Sequence, residues 1–135
     1  MFDTKLVVVL RADLEVWQKA NVTAFLVSGI AGTDPSTVGE PYVDGSGVRY
    51  LPMFRQPVLV YGADGAGLRR AYERARTRGV DLAIYTRELF ATGHDEANRA
   101  AVAGVPSDEL DLVGIAFRTD RKTADKVLDK LRPHP

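Results

Sequence analysis

The stretch Lys5–Gly32, KLVVVLRADLEVWQKANVTAFLVSGIAG, decides the fold of this chain. It begins with KLVVVL, an aliphatic and β-branched run that is typical of a strand buried on both faces of a sheet. The polar turn RAD follows, and Asp13 is the expected N-cap of a long helix. From Val22 onward that helix is apolar on nearly every side. We therefore do not expect an ordinary surface helix with one wet face.

The rest of the chain alternates strands with helices. Further core strands are predicted over 57–61, 80–85 and 112–117, and helices over 66–78, over 87–105 with a break near Gly93, and from Thr119 or Asp120 to Pro133. Between the first two strands, Tyr42-Val43 and Val48–Leu51 flank Asp44–Gly47, which predicts a hairpin. This order predicts a three-layer α/β/α sandwich with a mixed, mostly parallel four-stranded sheet plus a small hairpin. Residues 1–135 are expected to form a single domain.

The composition excludes several classes of function. The chain has no cysteine, so disulfides and cysteine-based metal sites are excluded. Lys and Arg number 18, as do Asp and Glu, so the basic surplus that is typical of nucleic-acid binders is missing. No apolar run reaches the length of a membrane helix, and no signal peptide is evident. We therefore expect a cytoplasmic protein that binds neither nucleic acid nor membranes.

Two rows of cations lie on predicted helix faces. Their members are Arg70, Arg74 and Arg78 in one helix and Lys122, Lys126 and Lys130 in another. A phosphate-binding surface would require these rows to be neighbours. Because Asp125 and Asp129 stand beside the lysines, ion pairs on a solvated face are the favoured interpretation.

Metal and phosphate sites have weak support. His94-Asp95-Glu96 cannot all face one ion from a helix, so helix capping by His94 or Asp95 is favoured. Asp64-Gly65-Ala66-Gly67 follows a strand, but its spacing differs from the phosphate-binding glycine motifs. We expect neither a metal nor a cofactor.

A candidate pocket follows from the strand ends. Lys19 and Asn21 come after the first strand, whereas Glu88, Thr92 and His94 come after the third. Carboxyl ends of parallel strands meet at one edge, where ligands bind in open α/β sheets. A lysine, a carboxylate and a hydroxyl suit amide or ester hydrolysis, with Glu88 orienting water while Lys19 and Thr92 polarise the carbonyl. A structural ion pair between Lys19 and Glu88 is the alternative.

Long motifs resemble a known superfamily. The strings KLVVVLRADL, PVLVY, LRRAYERARTRGV, LAIYTRE and LVGIAF resemble the type 2 peptidyl-tRNA hydrolases. The strings WQKANVTAFLVSGIAG, YLPMFRQPVLV and ELFATGHDEANRAAVA more closely resemble a bacterial family of unknown function grouped with those hydrolases. The resemblance implies a mixed four-stranded sheet and a homodimer. It also implies a site where a lysine, an acid and a threonine act on the ester that joins a peptide to tRNA.

The resemblance carries over residue by residue. Lys19 and Thr92 match a lysine and a threonine of the hydrolases, and Glu88 falls where they have an aspartate. Asn21 falls where they have a second lysine, and Gly93 replaces a glutamine. A longer segment, DEANRAAVAGVPSDELD, follows and would cover a site that the hydrolases leave open. We therefore expect the inherited fold with a substrate other than tRNA.

These observations lead to one functional hypothesis and two alternatives. The expected site has catalytic Lys19, Glu88 and Thr92, with substrate contacts from Trp17, Asn21, Tyr50 and His94. We expect an enzyme that acts on an acyl, amide or ester bond of a small molecule, and we expect it to form a homodimer. The first alternative is a non-catalytic ligand- or protein-binding domain. The second is true peptidyl-tRNA hydrolysis.

Overall fold

A computed structural model of the chain describes residues 2–135. Within that range the helices and strands are β1 (Thr4–Arg11), α1 (Val16–Thr33), β2 (Tyr42–Val43), β3 (Arg49–Tyr50), β4 (Val58–Ala63), α2 (Gly65–Thr77), β5 (Ala83–Thr86), α3 (Asp95–Ala103), β6 (Leu112–Asp120), α4 (Arg121–Val127) and β7 (Arg132–Pro133). Short 3₁₀ turns cover Pro35–Thr37, Arg87–Ala91 and Ser107–Glu109. None of these helices has the length and apolarity that crossing a membrane requires.

The aliphatic run of β1 forms the centre of the sheet, as predicted. Its residues Leu6 to Leu10 are almost completely buried. Alternate side chains point to opposite faces of a strand, so Val7 and Val9 contact one cluster while Val8 and Leu10 contact another. Helix α1 covers the second cluster, and α2 and α4 cover the first. Helices therefore lie on both faces of the sheet.

The sheet is mixed, but it differs from the prediction in two respects. Its order is β5-β6-β1-β4-β7, which makes five strands rather than four. Strands β1, β4 and β5 run in one direction, yet only β1 and β4 form a parallel pair, because β6 lies antiparallel between β1 and β5. The physical reason is the route from β5 to β6. That segment stays at the end where β5 finishes, with Arg87 N donating to Asp111 O at 2.9 Å, so the chain re-enters in the opposite direction.

The last helix is shorter than predicted. Asp120 caps it as expected, because its carboxylate accepts a hydrogen bond from Thr123 N at 2.9 Å. The helix ends at Val127, however, and not near Pro133. Lys130 adopts a positive φ of 69°, which turns the chain back so that β7 pairs with β4.

The start of α1 also differs from the prediction. The N-cap is Glu15, whose backbone N–H donates to Gln18 Oε1 at 2.9 Å. Asp13 does not cap the helix, because its carboxylate instead pairs with Arg11 at 2.8 Å. The helix begins at Val16, directly after the Glu15 cap.

The outer side of α1 is exposed, contrary to expectation. Only Val22 and Leu26 are buried, and they face the sheet. No charged residue follows Lys19 in the helix, so the remaining outer surface is uncharged. The prediction that α1 is not an ordinary surface helix was therefore wrong, because the helix forms the outermost layer on its side of the sheet.

The hairpin and the break in the third helical segment are confirmed. Strands β2 and β3 form a separate two-stranded sheet. Asp44 organises its turn, since Oδ1 accepts from Ser46 N at 2.9 Å and Val48 N at 3.0 Å, and Oδ2 accepts from the Tyr50 hydroxyl. The segment 87–105 divides into the Arg87–Ala91 turn and α3, and His94 Nδ1 caps α3 by accepting from Ala97 N at 3.2 Å.

Candidate functional site

A cavity of about 470 Å³ opens between α1 and the segment that leads into α3. We call it the α1–α3 cavity. It is lined by Trp17, Asn21, Phe25, Ser28, Tyr85, Leu89, Phe90, Thr92, Gly93, His94, Asp95 and Asn98. Helical spacing explains one wall, because residues 17, 21, 25 and 28 lie along one side of α1. The end of β5 and the following 3₁₀ turn supply the other walls.

Four aromatic rings lie close together in this cavity. The ring centroids of Trp17 and Phe90 are 5.9 Å apart, those of Phe25 and Tyr85 are 5.8 Å apart, and those of Tyr85 and Phe90 are 5.1 Å apart. The edge-on and tilted geometries are those that aromatic quadrupoles favour. The cluster therefore joins the helix wall to the wall formed by β5 and the turn.

Tyr85 is one of several lining residues that the sequence did not indicate, together with Phe90 and Asn98. Its side chain is 5% exposed, and Asn21 Nδ2 donates to its hydroxyl at 3.4 Å. Burial raises the pKa of the Tyr85 phenol above the ordinary value of 10.0, and the hydrogen bond from Asn21 partly offsets this. The apolar run LAIYT suggested only a core strand. The pattern of residues in this run did not indicate that the Tyr85 phenol faces a cavity that Asn21 also lines.

The raised pKa of Tyr85 predicts a titration at high pH. Burial favours the neutral phenol of Tyr85 in the folded state. The resulting contribution to the free energy of unfolding is complete below pH 10.0, and it is lost as the pH rises through the higher pKa of the folded state. We expect the near-ultraviolet absorbance difference between the wild type and Tyr85→Phe to show one phenol that ionises above pH 10.0. Asn21→Leu should raise that pKa further. An ordinary Tyr85 pKa in the folded protein would contradict this assignment.

Polar groups form the rest of the cavity. The Thr92 hydroxyl contacts Leu89 O at 3.0 Å and the Asn98 side-chain oxygen. His94 is exposed and uses Nδ1 for the helix cap. Asp95 forms an ion pair with Arg99 one turn further along α3. No lysine or arginine lines the cavity, so the charge around it is neutral to negative.

The structure brings together four of the seven predicted site residues. Trp17, Asn21, Thr92 and His94 line the α1–α3 cavity, whereas Lys19, Glu88 and Tyr50 do not. Lys19 is half-buried on α1 and Glu88 is exposed on the 3₁₀ turn. Between residues 2 and 135 no ion pair joins Lys19 to Glu88, and the Tyr50 hydroxyl binds Asp44 in the hairpin. The catalytic roles of Lys19 and Glu88 stay predictions.

An apolar groove continues from this cavity. It has a volume of about 530 Å³, and it runs past Ala83 and Ile84 of the edge strand β5. The groove and the cavity share Phe25, Tyr85 and Asn98, together with Leu89. The two spaces are therefore neighbouring parts of one surface depression between α1 and α3.

The two cation rows meet on the opposite face of the sheet. One cavity of about 520 Å³ is lined by Arg74 of α2, by Arg78 at the C-cap of α2, by Lys122 and Lys126 of α4, and by Asp125 and Asp129. Lys5 pairs with Asp125, and Arg74 donates to the backbone oxygen of Asp129 at 2.9 Å. The rows are thus neighbours, as a phosphate-binding surface requires, but acidic residues lie among them. In residues 2–135 no three His, Asp or Glu side chains cluster in a way that would hold a metal ion.

Comparisons with known proteins identify the family. The family model described as "Protein of unknown function (DUF2000)" matches residues 4–135. A solved structure of a protein of unknown function from Agrobacterium tumefaciens strain C58 is 46% identical, with a TM-score of 0.97 over 100% of both chains. No functionally curated protein matches the chain. Kinship with the peptidyl-tRNA hydrolases stays a prediction. The chain belongs to the DUF2000 family of proteins of unknown function.

Proposed function

We propose that this domain binds a small, planar, uncharged molecule with an amide-like group in the α1–α3 cavity. One observation carries the proposal: four aromatic side chains and two asparagines line a cavity that no lysine or arginine lines. Ligand sites are mostly apolar concavities with a few placed polar groups. The volume of about 470 Å³ lies within the range of small-molecule sites.

The chemistry of the lining selects the ligand. A planar ring can stack on or pack edge-on against the aromatic cluster of Trp17, Tyr85 and Phe90. Asn21 and Asn98 each carry both a donor and an acceptor, which suits an amide. The one acidic lining residue, Asp95, already pairs with Arg99, and no lysine or arginine lines the cavity. A carboxylate ligand would therefore lose its hydration without gaining an ion pair.

Trp17 makes the proposal directly measurable. It is the only tryptophan of the chain and it lines the cavity. We expect benzamide to change its fluorescence along a saturable curve, with a Kd on the order of 1 mM as befits so small a ligand. Benzoate has the same ring with a negative charge, and we expect it to bind about tenfold more weakly. Equal binding of both probes, or no response to either, would overturn the proposal.

A hydrogen bond between the Asn21 side chain and the amide of the ligand should contribute to the affinity for benzamide. We expect Asn21→Leu to weaken benzamide binding about three- to tenfold, which corresponds to the loss of one hydrogen bond. Thr77→Val, at the exposed end of α2, also removes a polar side-chain group and serves as the matched control. Fluorescence titration of both variants decides the point. An unchanged affinity in Asn21→Leu would remove Asn21 from the site.

A more specific proposal is that the α1–α3 cavity also catalyses hydrolysis of its ligand. Thr92 and His94 border the cavity and supply a hydroxyl and an imidazole. Para-nitrophenyl acetate, a small aromatic ester, is the appropriate substrate for a first assay. Turnover that disappears in Glu88→Gln would support the predicted carboxylate role. Binding of benzamide without any turnover would support a non-catalytic ligand-binding domain.

Peptidyl-tRNA hydrolysis has less support from the arrangement of charges. The clustered cations of α2 and α4 lie across the sheet from the α1–α3 cavity. A phosphate backbone bound there would lie far from the lining residues of the cavity. Release of peptide from peptidyl-tRNA at low salt, falling as salt rises, would restore this function.

A further inference from the structure

We propose that two copies of this chain form a symmetric dimer in which the hairpin of each copy packs on the exposed side of α1 of the other. We call residues 40–53 the arm and the exposed side of α1 the helix face. This association concerns the arm and the helix face and does not depend on any ligand in the α1–α3 cavity.

The arm exposes large apolar side chains in an unusual way. Every residue from Glu40 to Leu51 is exposed. Six large apolar side chains of the arm are between 50% and 85% exposed: Tyr42, Val43, Val48, Tyr50, Leu51 and Met53. Monomeric proteins rarely present contiguous apolar surface on this scale, and such surface marks interaction sites.

The arm is held at its base and not along its length. Gly39 N donates to Met53 O at 2.9 Å, and Arg55 N donates to Thr37 O at 2.9 Å. Strands β2 and β3 themselves contain two residues each and pair only with one another. An isolated two-stranded hairpin is marginally stable in water. A partner surface is therefore needed to hold the arm in one conformation.

The helix face is a suitable acceptor. Val16, Trp17 and Phe25 are more than half exposed on α1. From Ala20 to Thr33 the helix carries no charge. Burial of this surface would therefore leave no unpaired charge. A helix that is apolar on nearly all sides is normally buried. The exposure of the helix face is therefore unexpected for the sequence of α1.

The area is sufficient for a stable dimer. Side chains alternate between the two faces of a hairpin, so about half of the six apolar side chains can meet one helix. At about 200 Å² for a fully exposed large side chain, these offer on the order of 300 Å² and the helix face adds on the order of 400 Å². Stable interfaces bury about 600–1,000 Å² per partner. Each copy thus has the area that a stable dimer requires.

A second copy fits better than an unrelated partner because one chain carries both halves of the contact. In a two-fold dimer each arm meets the helix face of the other copy, so the same contact forms twice and both surfaces of each copy are covered. Trp17 and Phe25 belong both to the helix face and to the lining of the α1–α3 cavity. The arm of the second copy would therefore border that cavity, and Tyr50, which is remote from the cavity of its own chain, could wall the cavity of the other.

Sedimentation equilibrium tests the association. The wild type at micromolar concentration should have twice the chain mass of 14.8 kDa. Leu51→Glu with Met53→Glu in the arm should raise the dimer dissociation constant at least about 30-fold, as expected for central apolar contacts. Lys122→Glu, which adds negative charge on the opposite face of the sheet, is the matched control and should stay dimeric. Circular dichroism checks that each variant is folded.

A mixing experiment tests the reciprocal geometry. Ala24→Arg places a charge on the helix face and should also give monomers. A mixture of the arm variant and the Ala24→Arg variant keeps one intact arm and one intact helix face, so it should form heterodimers that neither variant forms alone. A monomeric wild type would overturn the proposal. A dimer that survives both the arm and the helix-face variants would overturn it as well, because another surface would then hold the copies together.

Discussion

Phe117→Ala is expected to lower the free energy of unfolding by about 3–5 kcal/mol, as replacing a fully buried aromatic side chain does. Phe117 lies in the middle of β6 with no exposed surface. It packs with Val7 and Val9 of β1 and with the helices on that face. Removing the ring leaves a cavity between the sheet and those helices. Urea denaturation followed by circular dichroism measures the change.

Phe2→Ala is the matched control for this prediction. Phe2 is 43% exposed, and we expect its replacement to change stability by about 0.5 kcal/mol or less. Both variants should be compared at one protein concentration, because association with a second copy adds to the apparent stability. A loss below about 1 kcal/mol in Phe117→Ala would contradict the position of that ring in the core.

Gly114→Ala is expected to destabilise the protein by about 1–3 kcal/mol through overpacking. A Cβ atom at Gly114 would lie 2.8 Å from Val22 Cγ1 and 3.0 Å from Leu26 Cδ1. These are the two side chains that seat α1 on the sheet. Gly104→Ala is the matched control, since its Cβ would approach nothing closer than 3.6 Å. Thermal denaturation of the two variants compares them directly.

The same substitution should also disturb the candidate site. Trp17 and Asn21 are carried on α1, so a shift of that helix away from β6 widens or tilts one wall of the cavity. We expect Gly114→Ala to change Trp17 fluorescence and to weaken benzamide binding relative to Gly104→Ala. Unaltered stability together with unaltered fluorescence would show that α1 does not rest on Gly114.

Local patterns predicted the elements whose causes are local. The buried strand β1 follows from its aliphatic run, and the hairpin follows from the turn Asp44–Gly47. Asp64 and Asp120 cap α2 and α4, and each accepts a backbone N–H three residues ahead. In all these cases the interacting groups are neighbours in sequence, so residue type and spacing are sufficient.

The candidate site was predictable only in part. Trp17 and Asn21 line the cavity because they follow the helical period of α1, and Thr92 and His94 lie close to the end of β5. Tyr85 was missed because a buried strand residue looks the same whether it faces the core or a cavity. Lys19 lies on the same helix as Trp17 but does not line the cavity, because one or two residues of helical rotation point side chains in different directions.

The sheet direction and the exposure of α1 depend on long-range contacts. Strand β6 enters antiparallel because the segment after β5 remains at one end of the sheet, and no local motif specifies that route. The amino-acid pattern alone specifies the central strand, the hairpin and an α/β class, since those rest on interactions between near neighbours. The tertiary structure decides which polar groups share a cavity and which apolar face stays uncovered. Both depend on how distant elements are placed, and the uncovered face of α1 is what points to a second copy of the chain.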